Sequence, residues 1–242
     1  MNILIPIIIT SIAGFSTMLG NVLLFINSKY KDKLISFSLG LSFIVMFLIS
    51  ILELVPEGIS IIYGSIPNLY LFILCLLLLG IGYLIVVFIE GKINNENSLY
   101  KIGILSMISL LIHNIPEGII CSLSSSINLE FGIKMSLMIM IHNIPEGICI
   151  SLPIYYSTKS RGKAILYTFI SSLGEVFGAL ITVLFLNRFV NAYLLSIIFI
   201  ITAGIMITLS VLKIFNEGIK IKPHKWFIFG ILLGILIIYL TL

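Results

Sequence analysis

The sequence predicts an all-α integral membrane protein, a single transmembrane domain over residues 1–242 with eight spanning helices. Three observations carry that prediction. First, 60% of the residues are hydrophobic and only 10% are charged; an ordinary soluble domain has about 25% charged, and so large an apolar excess cannot be hidden inside so small a globule. Second, apolar runs of about 20 residues, enough to cross a bilayer core of about 30 Å, recur along the whole chain. Third, the basic residues gather in alternate connections between those runs.

The runs fall at residues 3–27, 34–60, 67–90, 101–125, 131–155, 163–186, 191–213 and 225–242. The first begins within Met1 to Thr10, which lacks the basic flank and small-residue cleavage pattern of a signal peptide and so reads as helix. Lys29, Lys31 and Lys33 occupy the first connection, Lys92 and Lys101 the third, and Lys159, Arg161 and Lys163 the fifth. Lys213, Lys220, Lys222 and Lys225 occupy the seventh, leaving only Lys134 and Arg188 near even-numbered connections. The positive-inside rule then sets the odd connections in the cytoplasm and both termini outside, a multi-pass arrangement in the cell membrane. The longest polar connection, Glu90 to Tyr100, is an ordinary Asn-rich loop. These basic loops are too small to bind nucleic acid. Cys75, Cys121 and Cys149 lie in apolar runs, without the spacing of a thiolate cluster or a disulfide framework, and read as small buried hydrophobes.

The fourth and fifth runs carry a repeat. His113-Asn114-Ile115-Pro116-Glu117-Gly118 recurs as His142-Asn143-Ile144-Pro145-Glu146-Gly147, taking two of the three histidines in the chain. Each copy lies about a dozen residues into its helix, a rise of roughly 15–18 Å, which is near the bilayer midplane. The fourth helix runs outward and the fifth inward, so a two-fold axis in the membrane plane sets His113 level with Glu146 and His142 level with Glu117. At 100° per residue the Glu lies angularly between its His and its Asn. Its carboxylate can therefore bridge one ion on the His side and another on the Asn side. Pro116 and Pro145 each remove a helical hydrogen bond, freeing the carbonyls of Ile112 and Ile141, and such backbone is tolerated at membrane depth where it lines a cavity or packs on protein. A lone intramembrane His or Asn serves as readily to bond another helix. A mid-membrane charge, however, costs about 2.5–3.5 kcal/mol on insertion scales, and two antiparallel copies at one depth point to metal ions.

Glu175, the only charge in the sixth run past Lys163 at its start, sits at similar depth behind Ser171 and Ser172. It is a third carboxylate for the Asn-side ion or a protonated structural glutamate. Glu53-Leu54-Val55-Pro56-Glu57-Gly58 and Lys213-Ile214-Phe215-Asn216-Glu217-Gly218, 160 residues apart, share a Leu-x-x-x-x-Glu-Gly-Ile frame. This faint second repeat fits inverted halves, helices 1–3 and 6–8, around a central pair. Glu53 and Glu57 would lie toward the outer end and Glu217 at the cytoplasmic mouth, either drawing cations or capping solvated helix ends. His224 reads as incidental.

The chain resembles the ZIP (Zrt/Irt-like) metal transporters, especially their bacterial ZupT-like and GufA-like branches. The residues that carry the likeness are both HNIPEG copies and Ser171-x-x-x-Glu175. The resemblance implies a 3+2+3 helix arrangement, uptake toward the cytoplasm and a homodimer. It also implies a binuclear centre, with one ion on His113, Glu117, His142 and Glu146 and a second on Asn114, Asn143 and Glu175, bridged by Glu117 and Glu146. The fifth helix lacks the His-Glu-x-Pro-His-Glu pattern of many eukaryotic members, and the third connection lacks their long His-rich insert, so metal capture by that loop is not expected. Imidazole suits Zn²⁺ and Fe²⁺, and the amide and carboxylate oxygens admit harder ions such as Mn²⁺. The expected cargo is Zn²⁺ first, then Fe²⁺, Mn²⁺, Co²⁺ or Cd²⁺, with no cofactor beyond the cargo, and metal entry is expected to displace protons. An intramembrane metalloprotease would need His-Glu-x-x-His, which the chain lacks, so no enzyme is expected. A metal-selective channel or sensor would use the same ligands as a carrier, and saturable kinetics distinguish the carrier. The Ile-, Asn- and Lys-rich composition points to an AT-rich bacterial genome.

Overall fold

The computed structural model describes residues 4–26, 28–93, 97–185 and 192–241, which hold eight principal helices and no sheet. Helix α1 (Leu4–Phe25) is α-helical to Phe15 and then tightens into 3₁₀ turns over Ser16–Phe25. Helix α2 (Lys31–Ile62) contains a wider, π-type turn at Ser50–Leu54, immediately before Pro56. That turn explains why the helix runs on past its proline. Proline pushes against the carbonyl four residues back, and the wider winding opens there. Then follow α3 (Asn68–Lys92), α4 (Ser98–Ile127), α5 (Leu129–Thr158) and α6 (Arg161–Phe185). Helix α7 (Ala192–Leu209) continues through a second wide turn at Ser210–Phe215 and a last turn, Asn216–Gly218, and α8 is His224–Thr241. Seven of the eight are long and apolar enough to cross a membrane, and α8 is a shorter apolar helix. Arg188, counted above near an even connection, lies outside the described residues.

Two asparagines fix the starts of the central pair. The Asn97 side chain accepts from the Tyr100 N–H at 3.2 Å, and that of Asn128 accepts from the Phe131 N–H at 3.1 Å. Each satisfies one of the free N–H groups of a first turn. Asn128 alone separates α4 from α5, so the two 30-residue helices leave the turn antiparallel with their repeats side by side. Both Pro116 and Pro145 sit inside continuous α-helix.

The helices form two groups of four. In one, α1, α4, α5 and α6 pack on one another; in the other, α2 packs on α8 and on α7, and α3 packs on α7. Contacts of α2 with α5 and of α4 with α7 join the groups. This pattern obeys the inverted repeat. Exchanging helices 1, 2, 3 and 4 with 6, 7, 8 and 5 turns each of these contacts into another that exists. The two wide turns fall at equivalent places, with Ser50 and Ser210 at their starts. The outer faces are lipid-like: Leu69, Phe72, Ile73, Leu76, Leu77 and Leu84 of α3 are exposed. Buried hydroxyls bond back to their own helices, as Ser50 Oγ does to the Met46 carbonyl at 2.7 Å and Thr208 Oγ1 to that of Gly204.

Candidate metal centre

Helices α4 and α5 bring both copies of the repeat to the middle of the first group, with His113, Asn114, Glu117, His142, Asn143, Glu146 and Glu175 of α6 all buried. His142 Nε2 lies 2.9 Å from Glu117 Oε1, His113 Nε2 lies 3.1 Å from the same oxygen, and His113 Nε2 lies 3.5 Å from Glu146 Oε1. Each histidine thus meets the glutamate of the opposite copy. Among the described residues, no three such side chains stand ready-spaced around an ion; these four touch one another. Their separations still match the chemistry. Ligand atoms at about 2.0–2.1 Å from a tetrahedral Zn²⁺ stand about 3.3–3.4 Å apart, so small rotamer changes would turn the contacts into edges of a coordination shell.

The Asn side is held differently. Asn143 Nδ2 donates to Glu175 Oε1 at 2.5 Å and to the Ala13 carbonyl of α1 at 3.0 Å. Asn114 Nδ2 points to the Ser171 carbonyl at 3.4 Å. With the amide nitrogens so engaged, the oxygens are left over. Asn114 Oδ1, Asn143 Oδ1, Glu117 Oε2, Glu175 Oε2 and both Glu146 oxygens are buried without a hydrogen-bond partner. An unpaired buried acceptor costs about 1–3 kcal/mol, and a cation answers several such oxygens at once.

Close backbone contact sets this geometry. A Cβ on Gly118 would strike the Glu175 carbonyl oxygen, and one on Gly147 would strike that of Thr17. Glycine at these two places lets α6 and α1 approach the repeat. Sequence reasoning missed the part α1 plays. The signal was its run of small and polar residues (Thr10, Ala13, Gly14, Thr17, Gly20 and Asn21), all buried and spaced three or four apart.

A cavity of about 270 Å³ leads to the centre from the end of the bundle opposite the lysine clusters. Leu52, Glu53, Glu57, Met135, Met138, Ile139 and His142 line it. Glu53 and Glu57 therefore stand on the way to His142. At the lysine-rich end, a cavity of about 420 Å³ is lined by Glu90, Ser98, Lys101, Leu105, Lys213, Asn216, Glu217 and Lys220, among others, and stops short of His113. Glu217 there bonds Ser98 and Lys220. His224 begins α8 and is exposed.

An inverted-repeat bundle with buried imidazole, carboxylate and amide side chains at its middle, reached by an acidic cavity, fits one class: the multi-pass membrane transporters of divalent metal ions. Residues 91–241 match the family described as ZIP zinc transporter. The chain is 30% identical to the zinc transporter ZupT of Chlorobium chlorochromatii, over 100% of this chain and 97% of that one. It is 34% identical to ZupT of Shigella dysenteriae, over 95% and 93% of the two chains, and 32% identical to ZupT of Streptococcus mutans, over 97% and 95%. The chain belongs to the ZIP family.

Proposed function

We propose that this chain carries Zn²⁺ through the cell membrane into the cytoplasm, holding it in transit on His113, Glu117, His142 and Glu146. The carrying observation is the reciprocal approach of the two copies, His142 to Glu117 at 2.9 Å and His113 to Glu146 at 3.5 Å. A second ion sits on Asn114, Asn143 and Glu175, with Glu117 and Glu146 bridging; the unpartnered buried oxygens support it. Fe²⁺, Mn²⁺, Co²⁺ and Cd²⁺ share the route, because the donor set mixes nitrogen with hard oxygen. Both termini face outward, a reading that rests on the clustered lysines. The ion enters past Glu57 and Glu53 and leaves toward Lys213 and Glu217. On the family resemblance, the assembly is a homodimer in the bilayer.

The test is Zn²⁺ uptake into proteoliposomes with a lumenal fluorescent indicator, for wild type and Glu117→Ala. Supporting partners of a metal ligand are typically worth about 10–100-fold in affinity or activity, so removing a bridging ligand should lose at least that much uptake. Equal uptake by both proteins would make the paired motifs structural. Saturable uptake by the wild type favours a carrier over a channel.

A further inference from the structure

The starts of α2 and α8 stand side by side at the lysine-rich end. A Cβ on Gly40 would strike the Phe227 carbonyl oxygen, and one on Gly230 would strike that of Phe37. Ser36 Oγ donates to the Pro223 carbonyl at 3.3 Å. Beside these backbone contacts the two helices leave a cleft of about 280 Å³, with Ile26, Tyr30, Lys33, Phe37, Trp226 and Phe229 in its walls. Ile26 follows α1, so the cleft lies at the connection from one helix group to the other. It is open on one side: Ile26 is 38%, Tyr30 45% and Phe229 51% exposed. On helices that cross a bilayer, apolar surface of this kind meets lipid chains.

Two features make the cleft more than an aromatic anchor at the membrane surface. The first is a positioned ammonium. Lys33 Nζ lies 5.3 Å from the centre of the Tyr30 ring and 5.9 Å from that of Trp226. The two ring faces hold the cation and leave its three N–H donors for an acceptor. None of the lysine ion pairs among the described residues includes it, and its neighbour Asp32 acts on Tyr156 of α5 instead. Both α2 and α8 begin here, α2 without a side-chain cap, so two positive helix ends add to the ammonium.

The second feature is Trp226, the one tryptophan of the chain. Its Nε1–H is buried and has no hydrogen-bond partner. A tryptophan that only anchors a helix keeps its N–H in the wet headgroup layer. A buried donor left unmet carries a penalty that a ligand oxygen would remove. The Phe37 and Phe229 rings, 5.8 Å apart, supply an apolar wall below the polar groups. Ammonium, N–H donor and apolar wall in one cleft match an amphiphile with an anionic head, and basic pockets between spanning helices bind such head groups.

We propose that the α2/α8 cleft binds one anionic phospholipid, of the phosphatidylglycerol type, from the leaflet at the lysine-rich end. Its phosphate sits on Lys33, a phosphate or ester oxygen accepts from Trp226 Nε1–H, and an acyl chain runs along Phe37 and Phe229. On the orientation proposed above, this is the cytoplasmic leaflet. The site uses none of the metal ligands and stands apart from the metal path.

Trp226 serves as its own probe, since all tryptophan fluorescence of the chain comes from it. The full-length protein is placed in phosphatidylcholine vesicles with rising fractions of phosphatidylglycerol carrying brominated acyl chains, which quench tryptophan on contact. A parallel series uses phosphatidylcholine with the same brominated chains. Both lipids occupy both leaflets, so the result does not depend on how the protein is oriented. Wild-type quenching should reach half its maximum at a phosphatidylglycerol fraction about fivefold below that of phosphatidylcholine, the worth of one lysine at an anionic surface. Lys33→Gln should remove this preference. Lys163→Gln, at an exposed lysine of the same end but outside the cleft, should keep it. Equal half-points for the two lipids in the wild type, or a preference that survives Lys33→Gln, overturns the proposal. A preference lost equally in both variants also overturns it, because the lipid would then answer a diffuse lysine field and not a cleft.

Discussion

Lys213 stands in α7 where Glu53 stands in α2. The two lie 160 residues apart, each in the wide turn of its helix, and each lines the cavity at its own end of the bundle. The inverted halves are therefore alike in backbone and opposite in charge at this position. A carboxylate faces the cavity that reaches His142, while an ammonium, paired to Glu90 Oε2 at 2.6 Å, faces the one that stops short of His113. One mouth thus offers a cation a carboxylate and the other an ammonium. The charge difference gives a symmetric frame two unlike mouths.

The Lys213–Glu90 pair ties α7 to α3 across the lysine-rich cavity, with side chains 29% and 26% exposed. Exposed pairs contribute about 0.2–1 kcal/mol, and this one, partly sheltered, should fall at the upper end. A double-mutant cycle on Lys213→Ala and Glu90→Ala, read by thermal unfolding in detergent, should give a coupling of about 0.5–1 kcal/mol. A coupling of zero would mean that solvent screens the pair completely and that the two helices are joined by packing alone.

Glu57, in the lining of the opposite cavity, is placed to act on an approaching ion through its charge. One unit charge several ångströms from the path, in a medium between protein and water, interacts by roughly 0.5–1 kcal/mol. Glu57→Gln should therefore raise the KM for Zn²⁺ uptake by roughly two- to fivefold with little change in kcat, and the difference should shrink as salt rises. A KM that is unaffected by both substitution and salt would make Glu57 a solvated helix end.

Gly118 tests how closely the backbone must approach. An added Cβ would meet the Glu175 carbonyl oxygen, whereas one on Gly80 of α3 would meet nothing within 4 Å. Gly118→Ala should destabilise the protein by about 1–3 kcal/mol, the usual cost of overpacking. Gly80→Ala should be neutral or stabilising by up to about 1 kcal/mol, since alanine favours helix. Thermal unfolding of both variants measures the difference. Equal shifts would mean that α6 can move off α4 freely.

Much of this was legible in the sequence because lipid makes hydropathy and lysine placement unusually informative. The spans are found near the apolar runs, and the two HNIPEG copies face each other because their helices must run in opposite directions. The partition into two groups of four was not legible. In water an amphipathic stripe says which way a helix faces. In lipid the outer face is as apolar as the core, so α3 and α8 carry no periodic mark. The role of α1 lay in residue size: Gly14, Thr17 and Gly20 matter for what they leave out.

Asn143 joins the repeat to the rest of its helix group, and its substitution separates the two proposed ions. Its amide nitrogen donates to Glu175 Oε1 and to the Ala13 carbonyl, and its oxygen has no hydrogen-bond partner. Asn143→Ala removes that oxygen and frees Glu175, while His113, Glu117, His142 and Glu146 keep their contacts. Equilibrium dialysis with elemental analysis should then find two ions bound per wild-type chain and one per variant chain, with the remaining ion held at close to wild-type affinity. Loss of both ions would mean that the Asn side is a prop for the His side. Two ions retained by the variant would mean that the second ion is held by other groups, and that Asn143 serves only to fasten α1 and α6 to α5.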